Sequence, residues 1–127
     1  MLDKLIRRKA PFYAQFELTE KCNNKCYFCY NPMGYVAGNE LDTSRVITVL
    51  DELAEAGVFR INFNGGEPLM HPDFFRIVEH ASSLGFELHM NTNATLIDNS
   101  AANFIAKHMK SICTSILHSD ESIHDKM

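Results

Sequence analysis

No stretch of this 127-residue chain comes near the ~20 consecutive apolar residues that a bilayer span needs, so no membrane segment is expected. Positive charge is also scarce. The formal net charge is −4, which argues against the broad basic surface that nucleic acid requires. A secretory h-region is missing too: the basic run Arg7-Arg8-Lys9 has no apolar block behind it. Residues 1–11 are therefore expected to be a solvated extension whose Leu2, Leu5 and Ile6 dock on the body. Cysteine is sparse, four in all, and the thiols point to metal binding in a reducing cytoplasm rather than to pairing outside it. The hydrophobic fraction, 46%, is enough for one globular core, and the length fits one domain.

Three of those cysteines crowd into one stretch, Cys22 to Cys29, reading CNNKCYFC. Three thiols so close together cannot all pair with one another, and the spacing has no packing logic. Thiolates are soft ligands that select iron–sulfur clusters, zinc or copper(I). A cubane cluster offers four iron corners and usually takes four cysteines. The fourth, Cys113, lies 84 residues beyond Cys29, so three local ligands would leave one iron open. Zinc with three thiolates and a histidine or water is the parallel reading, and incidental core cysteines come third. Lys21 and Lys25 beside the cysteines would favour thiolates, or serve as plain solvated charges.

The rest of the chain alternates strand and helix. Phe12 to Leu18 reads as a first strand running straight into the cysteine loop, and Asn31 to Asn39, with Pro32, Gly34 and Gly38, reads as a loop. A helix capped from Asp42, Thr43 or Ser44 places Val46, Leu50, Leu53 and Ala54 on one face and ends at Gly57. Val58 to Asn64 is the second strand, stopping at Gly65-Gly66-Glu67-Pro68. Asp73 caps a second helix with Phe74, Ile77, Val78 and Ala81 inward, closed by Gly85. Phe86 to Met90 is a third strand ending at Asn91-Thr92-Asn93. Asp98 caps a third helix with Ala102, Ile105, Ala106 and Met109 inward, and Ile112 to Leu117 is a fourth strand. Four strands and three helices in alternation predict an α/β fold with a parallel sheet. Such sheets bind ligands at the carboxyl ends of their strands, where the cysteine loop, GGEP, NTN and the Ser115–His118 region all fall.

On these residues the sequence resembles a radical S-adenosylmethionine (SAM) enzyme. Cys22-x3-Cys26-x-Phe28-Cys29 matches the superfamily's CxxxCxΦC signature after a first strand, and Gly65-Gly66-Glu67-Pro68 matches its GGEP motif, 36 residues past Cys29. The run Leu18 to Asn23 and the ending Ser115-Ile116 through Ile123-His124-Asp125 are similar to the peptide- and protein-modifying subgroup, many of whose members carry a SPASM or twitch extension. The resemblance implies that Cys22, Cys26 and Cys29 ligate three irons of a [4Fe–4S] cluster while SAM chelates the fourth. Electron transfer into the sulfonium would then yield methionine and a 5′-deoxyadenosyl radical that abstracts a substrate hydrogen. It further implies that Phe28 packs beside cluster and adenine, and that the Gly65-Gly66-Glu67-Pro68 segment receives the SAM ammonium. Asn93 would sit at the cofactor edge, with Ala94 where the family often has glycine, and Ser115 would touch the ribose. The implied partners are a reductant such as a flavodoxin or ferredoxin and a peptide, protein or small-molecule substrate.

A full core of this family is a partial (β/α) barrel of six strand–helix units, of which this chain supplies about four strands and three helices. Residues 12–127 are thus expected to be the N-terminal part of a truncated radical SAM domain, incomplete alone, with strand four as an open edge. The competing function is a non-catalytic zinc or iron–sulfur module in which GGEP is only a turn. The histidines, His71, His89, His118 and His124 among them, read as structural groups rather than catalytic ones.

Overall fold

The computed structural model describes residues 11–30 and 40–124. The expected Asn31–Asn39 loop lies outside those residues, as does all of the expected N-terminal extension but Pro11. The elements run β1 (Tyr13–Thr19), α1 (Thr43–Glu55), β2 (Arg60–Gly65), a 3-10 turn (Pro68–Met70), α2 (Phe74–Ser83), β3 (Glu87–Asn91), α3 (Asn99–His108), β4 (Ser111–Cys113) and a single-turn α4 (Glu121–His124). All three strand pairings are parallel, and the spatial order is β1-β2-β3-β4. Strands that follow one another without reversal curl in one direction, as in a barrel, whereas a doubly wound sheet reverses its order at a switch point.

Local chemistry sets the helix ends. Asp42 accepts a 2.8 Å bond from Arg45 N and Asp98 a 2.8 Å bond from Ala101 N, capping α1 and α3. Gly57 (φ 87°) and Gly85 (φ 84°) turn the chain out of α1 and α2 in the left-handed region. Asp73, expected to cap α2, makes no side-chain cap bond. Its carboxylate instead accepts from Thr43 Oγ1 at 2.5 Å, tying the starts of α1 and α2 together.

The helix-facing side of the sheet is the core. Ile61, Phe63, Leu88 and Met90 alternate along β2 and β3 and meet Val46 and Leu50 of α1 and Phe74, Ile77, Val78 and Ala81 of α2. On α3, Ala101 and Ile105 are the buried pair. The expected inward Ala102 and Ala106 are exposed, because alanine carries too weak an apolar signal to fix the phase of a helix.

The opposite face is polar throughout. Register aligns Tyr13, Arg60 and Glu87 in a lower row and Gln15, Asn62, His89 and Ser111 in a middle row. The upper row pairs Glu17 with Asn64 and Asn91 with Cys113. Arg60 Nε reaches Glu87 Oε1 at 2.7 Å, and His89 bridges Glu87 (3.1 Å) and Ser111 (2.7 Å), so a network spans three strands. Hydrogen bonds from His89 and Arg60 hold the Glu87 carboxyl below its usual range.

Every strand boundary shifts by at least one residue from expectation, and two shift by more. β2 starts at Arg60 rather than Val58, because Val58 N–H closes α1 on Leu53 O and Phe59 N–H goes to Phe12 O. β4 ends at Cys113 rather than Leu117: β3 stops at Asn91, offering partners for three residues only. Ser115 therefore lies beyond the strand. Replacing Phe63, fully buried at the centre of the core, with Ala should cost about 3–5 kcal/mol, read from the midpoint of urea unfolding.

Candidate functional site at the strand carboxyl ends

Each strand exit carries one of the sequence signals, and hydrogen bonds knit three of these exits together. The first joint is between backbones. Gly66 N donates to Thr19 O and Glu67 N to Lys21 O, both at 2.7 Å, so the β2 exit grips the segment that leads into the cysteine loop. That grip leaves no room for a side chain. A Cβ on Gly66 would fall 2.1 Å from Lys21 O, and one on Gly65 would fall 2.3 Å from Thr19 O, with Gly65 also at φ +118°.

The second joint is the Glu67 side chain, which is fully buried. Its Oε1 accepts from Thr92 Oγ1 (2.7 Å) and Leu69 N (3.3 Å), and its Oε2 accepts from Asn93 N (2.8 Å). A buried carboxylate is tolerated only with such partners. Pro68, also buried, opens the 3-10 turn that aims the carboxylate at the β3 exit. There Ala94 takes φ 62°, a left-handed conformation that glycine adopts more readily than alanine. Its N–H is held by Thr92 Oγ1 at 3.0 Å.

The third joint closes the triangle. Asn93 Nδ2 donates to Asn23 Oδ1 at 2.8 Å and lies 3.9 Å from Cys22 Sγ, while Asn23 Nδ2 donates to Thr95 Oγ1 at 2.8 Å. The base of the loop is fastened again by Glu40, which accepts from Thr19 Oγ1 and Glu20 N and pairs with Lys21 Nζ at 3.6 Å. Partial burial pushes the Glu40 carboxyl up, but these bonds outweigh it and hold the group below its usual range.

Between these exits lies a cavity of about 650 Å³, walled by Cys26, Phe28 and Tyr30 from the loop, by Asn64, Gly65 and Gly66 from β2, by Thr92 and Asn93, and by Cys113 and Ser115. The structure thus gathers Cys26, Phe28, both glycines, Asn93 and Ser115 around one space. Glu67 and Pro68 stand behind that wall. Phe28 is 49% exposed and packs edge-on against Tyr27 at 5.3 Å, so its ring faces the opening rather than the core.

Cys22, Cys26 and Cys29 are unpaired thiols, with Cys29 N donating to Cys26 O at 3.0 Å in the turn between them. Among the described residues no three His, Cys, Asp or Glu side chains are gathered as a metal site. The chemistry of the donors still fits a thiophilic group: three free thiols on one exposed loop, with Cys26 facing a cavity large enough for a cofactor. Sequence reasoning passed over Asn23, Thr92, Thr95 and Glu40 as fasteners, and Asn64 in the wall. Only Asn64 had a readable signal, since strand alternation puts it on the same face as Asn62.

Comparison with known proteins agrees with this layout. The model of the radical SAM superfamily matches residues 16–127. The PqqA peptide cyclase of Bradyrhizobium diazoefficiens is 39% identical over 88 residues, which is 68% of this chain and 23% of that protein. The mycofactocin maturase MftC of Mycobacterium ulcerans is 34% identical over 97 residues, 76% of this chain and 26% of that protein. The chain thus spans about a quarter of the length of these relatives. Streptococcus suis SuiB bound to its precursor peptide SuiA superposes with a TM-score of 0.81 at 22% identity, covering 99% of this chain and 29% of SuiB. BtrN in complex with AdoMet and 2-DOIA gives 0.72 at 17% identity, covering 92% of this chain and 52% of BtrN. At these identities the structural likeness establishes the fold, a partial parallel barrel.

Gly66→Ala should destabilise the protein by about 3 kcal/mol or more, because the atoms it meets are backbone and cannot step aside. Urea unfolding measures the loss, and faster labelling of the cysteines by a thiol reagent would report the released loop. A second expectation concerns pH. His71 is buried, and its Nδ1 accepts from Asp73 N at 3.1 Å. Burial lowers its pKa, partly offset by Asp73 and Glu40. The unfolded chain therefore binds the proton more readily, so this contribution is complete above about pH 6.5 and is lost as pH falls through the lower folded value. Stability should decline from pH 7 to pH 5 more steeply in the parent than in His71→Asn.

Proposed function

The chain belongs to the radical SAM superfamily, and from that premise we propose that Cys22, Cys26 and Cys29 hold a [4Fe–4S] cluster at the mouth of the 650 Å³ cavity, with SAM inside it. The observation that carries the reading is that Cys26, the glycine pair and Asn93 border one cavity, with Cys22 Sγ 3.9 Å from Asn93 Nδ2. When bound, cluster and SAM together supply one-electron cleavage of the sulfonium and hydrogen abstraction from a substrate.

The chain's own residues do the holding. Gly65 and Gly66 let the β1 exit close onto the β2 exit, and both glycines border the cavity. Glu67 fixes that segment against Asn93 from behind, and in this reading the segment's backbone, rather than the buried carboxylate, meets the SAM ammonium. Phe28 covers the adenine side and keeps water from it, and Ser115 offers a hydroxyl from the opposite wall. Residues 12–127 form the SAM-binding part of the barrel in this reading, and residues 1–11 precede it. The relatives named for peptide substrates favour a peptide as the molecule modified, with a small molecule as the alternative and a flavodoxin or ferredoxin as reductant.

Anaerobic reconstitution with iron and sulfide tests the proposal. The parent chain should take up ~4 irons, and its visible spectrum should shift when SAM is added. Cys26→Ala should lower bound iron by roughly tenfold or more at limiting iron. Formation of 5′-deoxyadenosine under reducing conditions would establish competence. Stoichiometric zinc with no response to SAM would instead establish the non-catalytic module.

A further inference from the structure

The proposed cofactor site draws on nothing from the lower two rows of the polar sheet face. A second cavity, of about 330 Å³, lies against those rows and is bordered by Arg60, Asn62, His89 and Ser111. Three side chains there stand in line. Ser111 Oγ is 2.7 Å from His89 Nδ1, and His89 Nε2 is 3.1 Å from Glu87 Oε1. Bonds from His89 and Arg60 hold the Glu87 carboxyl below its usual range, so at neutral pH it is ionised and only accepts. In the neutral imidazole Nε2 therefore carries the hydrogen, and Nδ1 is left to accept from the Ser111 hydroxyl. A general base needs this polarity toward a nucleophile. Ser111 is exposed on the edge strand β4, within reach of an incoming molecule. Arg60 gives Nε and Nη2 to Glu87, at 2.7 and 2.5 Å, and its side chain makes no other hydrogen bond among the described residues.

We propose that Ser111 is a nucleophile that cleaves carboxylic esters of short acyl chain, with His89 as its general base and Glu87 as the group that positions His89. Serine, histidine and a carboxylate in this relation act on unrelated folds, and they are recognised by geometry rather than by position in the chain. Oγ adds to the ester carbonyl carbon while the hydroxyl proton passes to Nδ1. The bond from that carbon to the alcohol oxygen then breaks, and the alcohol leaves with the proton. Water repeats the two steps on the acyl-serine, so the balance is ester and water to acid and alcohol. Arg60 Nη1, left over from the Glu87 pair, is the donor for the carbonyl oxygen as its negative charge develops. The 330 Å³ space sets the limit on the acyl group.

The test uses the full chain, p-nitrophenyl acetate as substrate and a fluorophosphonate as covalent probe. With the probe, an Oγ–phosphorus bond forms, fluoride leaves and the proton stays on His89, so peptide mass mapping should find the adduct on Ser111. Ser111→Ala should lose the adduct and hydrolyse the acetate about tenfold or more slowly than the parent. His89→Gln should slow both reactions to a similar degree. Glu87→Gln should lower kcat about tenfold with KM nearly unchanged, a split that a merely structural carboxylate would not produce. His118→Gln, which borders neither cavity, should match the parent and so excludes hydrolysis by any exposed imidazole. No adduct on Ser111, or equal acetate hydrolysis by parent and Ser111→Ala, overturns the assignment. Should His89→Gln not fold, the exposed Ser111→Ala decides by the same two readings.

Discussion

Glu67 is the joint on which the site depends. Its N–H holds the β1 exit through Lys21 O, and its carboxylate holds the β3 exit through Thr92 and Asn93. One residue thus fixes the positions of two loops that come from opposite sides of its own strand. The arrangement works because the group is sealed from water. In a low-dielectric surrounding a carboxylate with three donors is strongly held, and one stripped of them would cost several kcal/mol, on the order of 3–5.

The glycines before it follow from the same constraint. Glu67 N–H reaches Lys21 O only if the two backbones come nearly into contact, and contact at that range excludes any Cβ at Gly66. The requirement is for space rather than for freedom. Gly65 differs, since it must also adopt a positive φ to leave the strand. Asn23 and Asn93 complete the triangle from the loop side. The cysteine loop is therefore anchored at its root, through Thr19, Lys21 and Asn23, while its thiols stay exposed or half-buried and free to meet a ligand.

Much of this was legible in the sequence, for reasons that vary by residue. Val46, Leu50, Phe74, Ile77 and Val78 announced their helix faces because large apolar residues at helical spacing leave no other phase. Gly57 and Gly85 announced helix ends for the conformational reason that the structure confirms. Ala102 and Ala106 misled, because alanine is at home on either face. The end of β4 was misplaced because a strand's length is set by its neighbour: Ile116 and Leu117 have strand-like side chains but no partner beyond Asn91. The cysteine and GGEP motifs were plain as words, yet nothing in them says that Glu67 faces away from the cavity and into the β3 exit. That direction is a property of the 3-10 turn at Pro68, which brings Leu69 N onto the same carboxylate.

The two faces of the sheet divide the labour. Barrel interiors are commonly filled by branched aliphatic layers that act as a second core. Here Ile61, Phe63, Leu88 and Met90 all turn outward to the helices, and the inward rows hold carboxamides, acids, an arginine and a histidine. The inward face therefore contributes little apolar burial, and stability rests on the helix side. Of the inward rows, Asn64, Asn91 and Cys113 border the 650 Å³ cavity, so a change there alters its wall without opening the core. The exception is the network of Arg60, Glu87, His89 and Ser111, whose members satisfy one another across three strands beneath the upper row.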